Sequence, residues 1–192
     1  MTRAALLSHI SQLEEAARAN DLRADVAIGE PALESEIAHL EAALGVLVPR
    51  PYRQSLSEWN GCTIEIRQPR SLGAARGDLR GQWEILDVRQ MVAATTLTRR
   101  KMACAMEGSD VAGQVAEAMS RIIVVVLHDD ICVFLSSGGT ERHEFAVRCM
   151  NLEYALGEFP PTMYVIATSP DDFLEKCFAQ IAKTLETEIY WW

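Results

Sequence analysis

His128, Asp129 and Asp130 stand side by side between two β-branched runs, the densest cluster in this chain of groups able to bind a metal or move a proton. A metal centre needs further ligands from elsewhere. The other histidines (His9, His39, His143) have no i, i+4 partner that could supply them. The trio therefore reads as a solvated turn, where aspartate is favoured for its local hydrogen bonds. Its charge offers Asp129 and Asp130 as contacts for a basic partner. A cysteine–histidine nucleophile could pair Cys132 or Cys149 with His128 or His143, but both cysteines lie in apolar runs, where burial opposes thiolate formation. Ser137-Gly138-Gly139 is too short for a phosphate loop and no lysine follows it.

Five widely scattered cysteines, an odd number without a C-x-x-C pair, suggest reduced thiols, not a disulfide framework or a zinc ribbon. Most read as small buried hydrophobes. The net charge of −9 is uneven: residues 1–66 carry −5, residues 67–101 carry +5 and residues 102–192 carry −9. An acidic body disfavours nucleic acid, whose affinity is dominated by phosphate neutralisation, and would steer basic proteins. The basic exception includes Arg70, Arg76 and Arg80 among Pro69, Gly73, Gly77 and Gly81. That composition reads as a long mobile loop over 68–82, with Arg76 and Arg80 placed to close on an acidic patch of a partner. Trp83 directly after it is either core filling or an anchor for that partner.

Helices and strands must position these groups. Leu6, Ile10, Leu13 and Ala17 predict an amphipathic helix from Thr2 to about Asn20, and residues 21–30 read as a linker. Glu30-Pro31 opens a second helix with the apolar stripe Leu33, Ile37, Leu40 and Leu44, ended by Gly45. Pro49 or Pro51 starts a third, shorter helix, buried through Tyr52, Leu56 and Trp59. Strands are expected at 63–67, 122–127, 131–135, 145–149 and 163–167, order resumes at Trp83, and helices are expected at about 88–102 and 110–120. Ser169-Pro170-Asp171-Asp172 gives the last helix its start. Helices, then mostly adjacent strands, then a helix argue for an α+β fold. The expected division is an N-terminal helix over 1–25 and a single domain over 26–192. At 49% hydrophobic, 192 residues can build a sizeable core. No apolar run approaches the ~20 residues that span a bilayer, and no signal-peptide pattern opens the chain, so a cytoplasmic location without membrane contact is expected.

The run Leu44-Gly45, Pro49, Tyr52, Leu56, Asn60-Gly61, preceded by Glu36 and Glu41, resembles the start of domains in the SUKH superfamily. Trp83-Glu84-Ile85-Leu86, the hairpin Ile122–Leu135 and Asp172-Phe173-Leu174 continue the likeness, which would cover about residues 30–185. The turn His128-Asp129-Asp130 departs from it, replacing a glycine-containing one. The resemblance implies an α+β domain with a twisted, mainly antiparallel sheet flanked by helices. It implies a binding module without catalytic residues, cofactor or metal. Its bacterial members imply immunity: binding a cognate toxin, a basic one where that toxin is a nuclease, and blocking it. A small ligand-binding protein or enzyme with 68–82 as its lid, and a regulatory adaptor as among the fungal relatives, are the other expectations.

Overall fold

A computed structural model of the chain describes residues 1–68, 79–128, 131–137, 145–151 and 164–187. Its strands are β1 (Arg23–Ile28), β2 (Cys62–Arg67), β3 (Leu79–Ile85), β4 (Ile122–His128), β5 (Ile131–Ser137), β6 (Phe145–Asn151) and β7 (Tyr164–Ala167). They form one seven-stranded sheet in sequence order, antiparallel at every pairing. The helices are α1 (Arg3–Ala19), α2 (Glu34–Leu44), α3 (Arg50–Leu56), α4 (Val88–Ala105), α5 (Ala112–Ser120) and α6 (Pro170–Thr187). This is the expected α+β architecture with an extra N-terminal helix. No helix of the described residues is long and apolar enough to cross a membrane.

Local chemistry sets most of these ends. The Thr2 hydroxyl accepts from the Ala5 N–H at 3.2 Å and starts α1, which buries Leu6, Ile10, Leu13 and Ala17. Asp87 caps α4 by accepting from the N–H groups of Arg89 and Gln90 at 2.8 Å each, and Gln90 Oε1 accepts from the Asp87 N–H at 2.8 Å. Ser169 Oγ accepts from the Asp172 N–H at 3.1 Å, so α6 begins where its sequence predicts.

The segment expected as a linker is strand β1 instead. Ala24, Val26 and Ile28 lie across from Ile66, Ile64 and Cys62, so the alternation in Arg-Ala-Asp-Val-Ala-Ile extends the apolar face of the sheet by one strand. Residue 25, the expected boundary of the N-terminal unit, falls in the middle of this strand. Helix α2 starts at Glu34 and not at Pro31, because the Ala32 N–H donates to the Leu56 carbonyl at 2.8 Å and Leu33 stays extended. β3 begins at Leu79, inside the span expected as loop.

Along β1–β3 the two faces of the sheet differ. Ala24, Ile66 and Gly81 form one row, Val26, Ile64 and Trp83 the next, and Ile28, Cys62 and Ile85 the third, all towards the core. The opposite face carries Arg23 and Arg67, then Asp25, Glu65 and Gln82, then Ala27, Thr63 and Glu84. Helix α1 packs on β1 and α6, while α4 packs on β4 between α2 and α5. Ile122 to Val126 are all buried, so β4 is covered on both faces. A bulge at Val125 lets its carbonyl accept from the Leu86 N–H at 2.9 Å, while the buried Thr95 hydroxyl accepts from the Val124 N–H at 2.9 Å.

Cys62 and Cys177 are buried free thiols, and Cys104 is exposed. Burial pushes both buried thiols up to about 12, with the charge of Cys62 adding to the shift at Cys177. Below the unfolded thiol pKa of about 8.5 both states are protonated; above it only the unfolded chain sheds protons. Stability should therefore fall from about pH 8.5 upward, by at most about 1.4 kcal/mol per pH unit and thiol. Denaturant titrations between neutral pH and the onset of tyrosine ionisation check this. The slope should flatten when Cys62 and Cys177 are both alanine. A maleimide added to the native protein should label Cys104 and spare these two. The side chains of Cys132 and Cys149 lie outside those described.

Candidate functional site

The run from Leu44 to Gly61 builds a frame. Gly45 closes α2 with φ 67°, a conformation costly for residues with a Cβ. Glu41 Oε1 accepts from the Val48 N–H at 3.0 Å and from Arg53 at 2.7 Å, tying the segment after α2 to α3. Arg53 also pairs with Glu34 on the first turn of α2. Glu41, followed by Glu34, raises the pKa of Arg53 and keeps the fork charged. Tyr52, Leu56 and Trp59 are core, and burial pushes the Tyr52 phenol up.

Asn60 and Gly61 form a junction of three elements. Gly29, just past β1, donates its N–H to the Gly61 carbonyl at 2.9 Å. Asn60 Oδ1 accepts from the Val88 N–H at 2.9 Å, at the first residue of α4. Gly61 has φ 83°, and a Cβ there would stand 2.9 Å from the Asp87 nitrogen. The side-chain groups of Glu41 and Arg53 and the side-chain carbonyl of Asn60 are thus spent on holding the frame. It fixes the distance between the sheet and α4.

Among the expected site residues, Trp83 is described fully. It is 3% exposed and lies in the core row with Ile64, so it offers no outer surface to a partner. Its indole lies across Gly81, where a Cβ would come within 2.5 Å of the ring. The sequence signal that favoured an anchor, a tryptophan after a basic loop, is equally the signal of an aromatic that needs a glycine two residues before it. Arg80 is the extra residue of a bulge in β3, between Leu79 opposite Arg67 and Gly81 opposite Ile66. Its side chain lies outside those described. Arg76, Asp129 and Asp130 lie outside the described residues, although the strand ends flanking the turn, His128 and Ile131, pair directly.

Two surfaces of the described residues that bring acidic and basic groups together could meet another molecule. One is a groove of about 370 Å³ between α2 and α4, lined by Ser35, Glu36, His39, Val88, Arg89 and Val92. Serine, histidine and glutamate occur together there, yet both Glu36 oxygens are occupied. One accepts from the Leu33 N–H at 3.0 Å and the other from Arg89 at 3.2 Å. Those contacts, the backbone one foremost, hold its pKa below the usual carboxylate range. Glu36 is thereby committed to structural contacts and is not left over to act as a base on a nucleophile. No group of three or more potential metal ligands occurs among the described residues.

The other surface is the outer face of β1–β3, which sequence inspection did not single out. Glu65 and Arg67 pair at 2.6 Å, Arg23 and Asp25 pair at 2.6 Å, and Gln90 reaches Glu84 at 2.5 Å. Thr63, Glu65, Arg67 and Glu84 are half-buried. Mixed, partly desolvated charges on a rigid sheet suit recognition of a protein surface better than chemistry on a small molecule. The period-2 pattern of Thr63 to Arg67 was the available signal, since every second residue of a strand with one buried face must point outward.

A search of curated proteins finds no match to this chain. A family model does match, over residues 31–176, from the approach to α2 through the whole sheet beyond β1 to the second turn of α6. That span contains Glu41, Asn60-Gly61 and Trp83 in the roles described above, and the chain belongs to the SMI1/KNR4 family (SUKH-1).

Proposed function

We propose that this chain is a non-catalytic protein-binding module that acts as an immunity protein, holding a cognate toxin in a one-to-one complex in the cytoplasm. The observation that carries the reading is the family membership over residues 31–176, a family of immunity-type domains. A net charge of −9 supports it, because it would speed encounter with a basic toxin. The outer face of β1–β3 is the docking platform. Asp129 and Asp130, between β4 and β5 in the sequence, with Arg76 ahead of β3 and Arg80 at its bulge, are the proposed contacts, and Trp83 supports β3 from the core side.

Co-expression with the toxin encoded beside it tests the reading. Cells should survive, and the two chains should co-purify at equal stoichiometry. Charge reversal with Asp129→Lys and Asp130→Lys should weaken the complex by on the order of tenfold or more, mainly through slower association. Neither binding nor protection with any adjacent product would refute an immunity role. Binding unaffected by the double reversal would move the contact away from the turn.

A further inference from the structure

We propose that the free edge of β1 is a self-association surface, on which two copies of the chain pair their β1 strands antiparallel about Ala24. Among the described residues β1 is the terminal strand of the sheet and pairs only with β2. The Gly29 N–H turns toward β2, so by alternation the amides of residues 23, 25 and 27 do too. Residues 24, 26 and 28 then direct their N–H and C=O groups to the open edge. Natural edges are blunted by proline, bulges, charged side chains or a covering element, and charges block pairing where the incoming strand cannot match them. β1 has no proline and pairs with β2 without a register shift, and its two charges are opposite.

The charge pattern names the occupant. Within the sheet, Arg23 stands directly across from Arg67, and Asp25 directly across from Glu65. Like charges at opposed positions are unfavourable. The strand relieves them by pairing along itself, Arg23 with Asp25 and Arg67 with Glu65. A second copy laid antiparallel about Ala24 puts Arg23 across from Asp25 of the partner subunit, and Asp25 across from its Arg23. The backbone phase is right, because Ala24 then meets Ala24 of the partner subunit as a hydrogen-bonded pair through outward-facing groups. Leu22 and Val26, both half-buried and packed on the core, also come opposite each other across the pair. Pairing about Asp25 would instead set two aspartates face to face. β1 lies before the family-matched span, which begins at residue 31. Two six-residue strands alone do not bury the roughly 1,200 Å² of a stable interface, so the dimer is a weak, concentration-dependent one.

Sedimentation velocity on the purified full chain tests this without any toxin, so it stands or falls apart from the immunity role. The wild type should show reversible dimerisation. Arg23→Asp and Asp25→Arg should each raise the dissociation constant at least tenfold when alone. Mixed in equal amounts they should recover a heterodimer, because one chain then presents two acids to two arginines. Each reversal loses the Arg23–Asp25 pair but places an opposite charge across from Arg67 or Glu65, so the single chain keeps a compensating contact, and a melting curve of each variant checks its fold. A wild type that stays monomeric at the highest attainable concentration overturns the proposal. So does a dimer that both reversals leave intact, or two variants that fail to recover on mixing.

Discussion

Gly29→Ala should be among the most damaging single substitutions in this protein, leaving little folded material at physiological temperature. A Cβ at Gly29 would stand 1.8 Å from the Asn60 carbonyl oxygen, with the carbonyl carbon at 2.8 Å. Both are backbone atoms, so no side chain can swing away. The Asn60 peptide cannot retreat either, because Asn60 Oδ1 holds the first amide of α4 and the Gly61 carbonyl accepts from Gly29 itself. Overpacking a well-filled core costs about 1–3 kcal/mol, and a backbone collision at a three-way junction should exceed that range. Gly61→Ala should follow, combining a positive φ with a contact to the Asp87 nitrogen. Asn60→Ala, which deletes one side-chain bond, should cost about 1 kcal/mol. Urea denaturation of the three variants should rank them in that order. A Gly29→Ala protein within 1 kcal/mol of wild type by that measure would mean that β1 docks on the junction loosely, and the account of Asn60-Gly61 would fail with it.

That junction shows where sequence alone was sufficient and where it was not. α1, α4 and α6 were legible because their signals are local: a capping side chain, an apolar stripe at helical spacing, a proline in the first turn. The hairpin of β4 and β5 was legible because continuous β-branched burial has few alternatives. β1 was missed because alanine stands on both of its faces and the alternation rests on Val26 and Ile28 alone. The identity of a strand that weak is decided by its neighbour: it becomes a strand because β2 presents Ile64 and Ile66 to it. The bulges at Arg80 and Val125 likewise depend on partners distant in sequence. Asn60-Gly61 was readable as a family mark, but its physical meaning needs Gly29 and Val88, thirty residues to either side. On the candidate site residue types could be read from the sequence, but sidedness could not. Trp83 could be core or anchor until the register placed it beside Ile64. The outer face emerged only once β1, β2 and β3 were aligned.

The second large effect belongs to Arg99, an arginine that sequence inspection treated only as part of a basic segment. Its guanidinium donates to the Leu44 carbonyl at 2.9 Å, to the Ser120 carbonyl at 2.8 Å and to the Ile122 carbonyl at 3.0 Å. Leu44 and Ser120 are the last residues of α2 and α5, so one cation sits at the negative ends of two helix dipoles. The third carbonyl is the first of β4, which binds the sheet to both helices. Burial lowers the Arg99 pKa, the cost of holding this charge away from water, and the three carbonyls offset it. Arg99→Met keeps most of the apolar stem and removes the fork, leaving carbonyls that α4 cannot otherwise reach. The loss should be about 3 kcal/mol. For a chain of this size each kcal/mol moves the melting temperature by about 2–4 °C. Arg99→Lys should fall between the two, since an ammonium group cannot span three carbonyls from one position. Under the proposed immunity role, loosening the first residue of β4 should reduce protection by lowering the amount of folded protein, not by altering affinity. Melting curves and toxin binding measured on the same preparations separate the two: Arg99→Met should shift the melt and bind normally once folded, whereas reversing Asp129 and Asp130 should do the opposite.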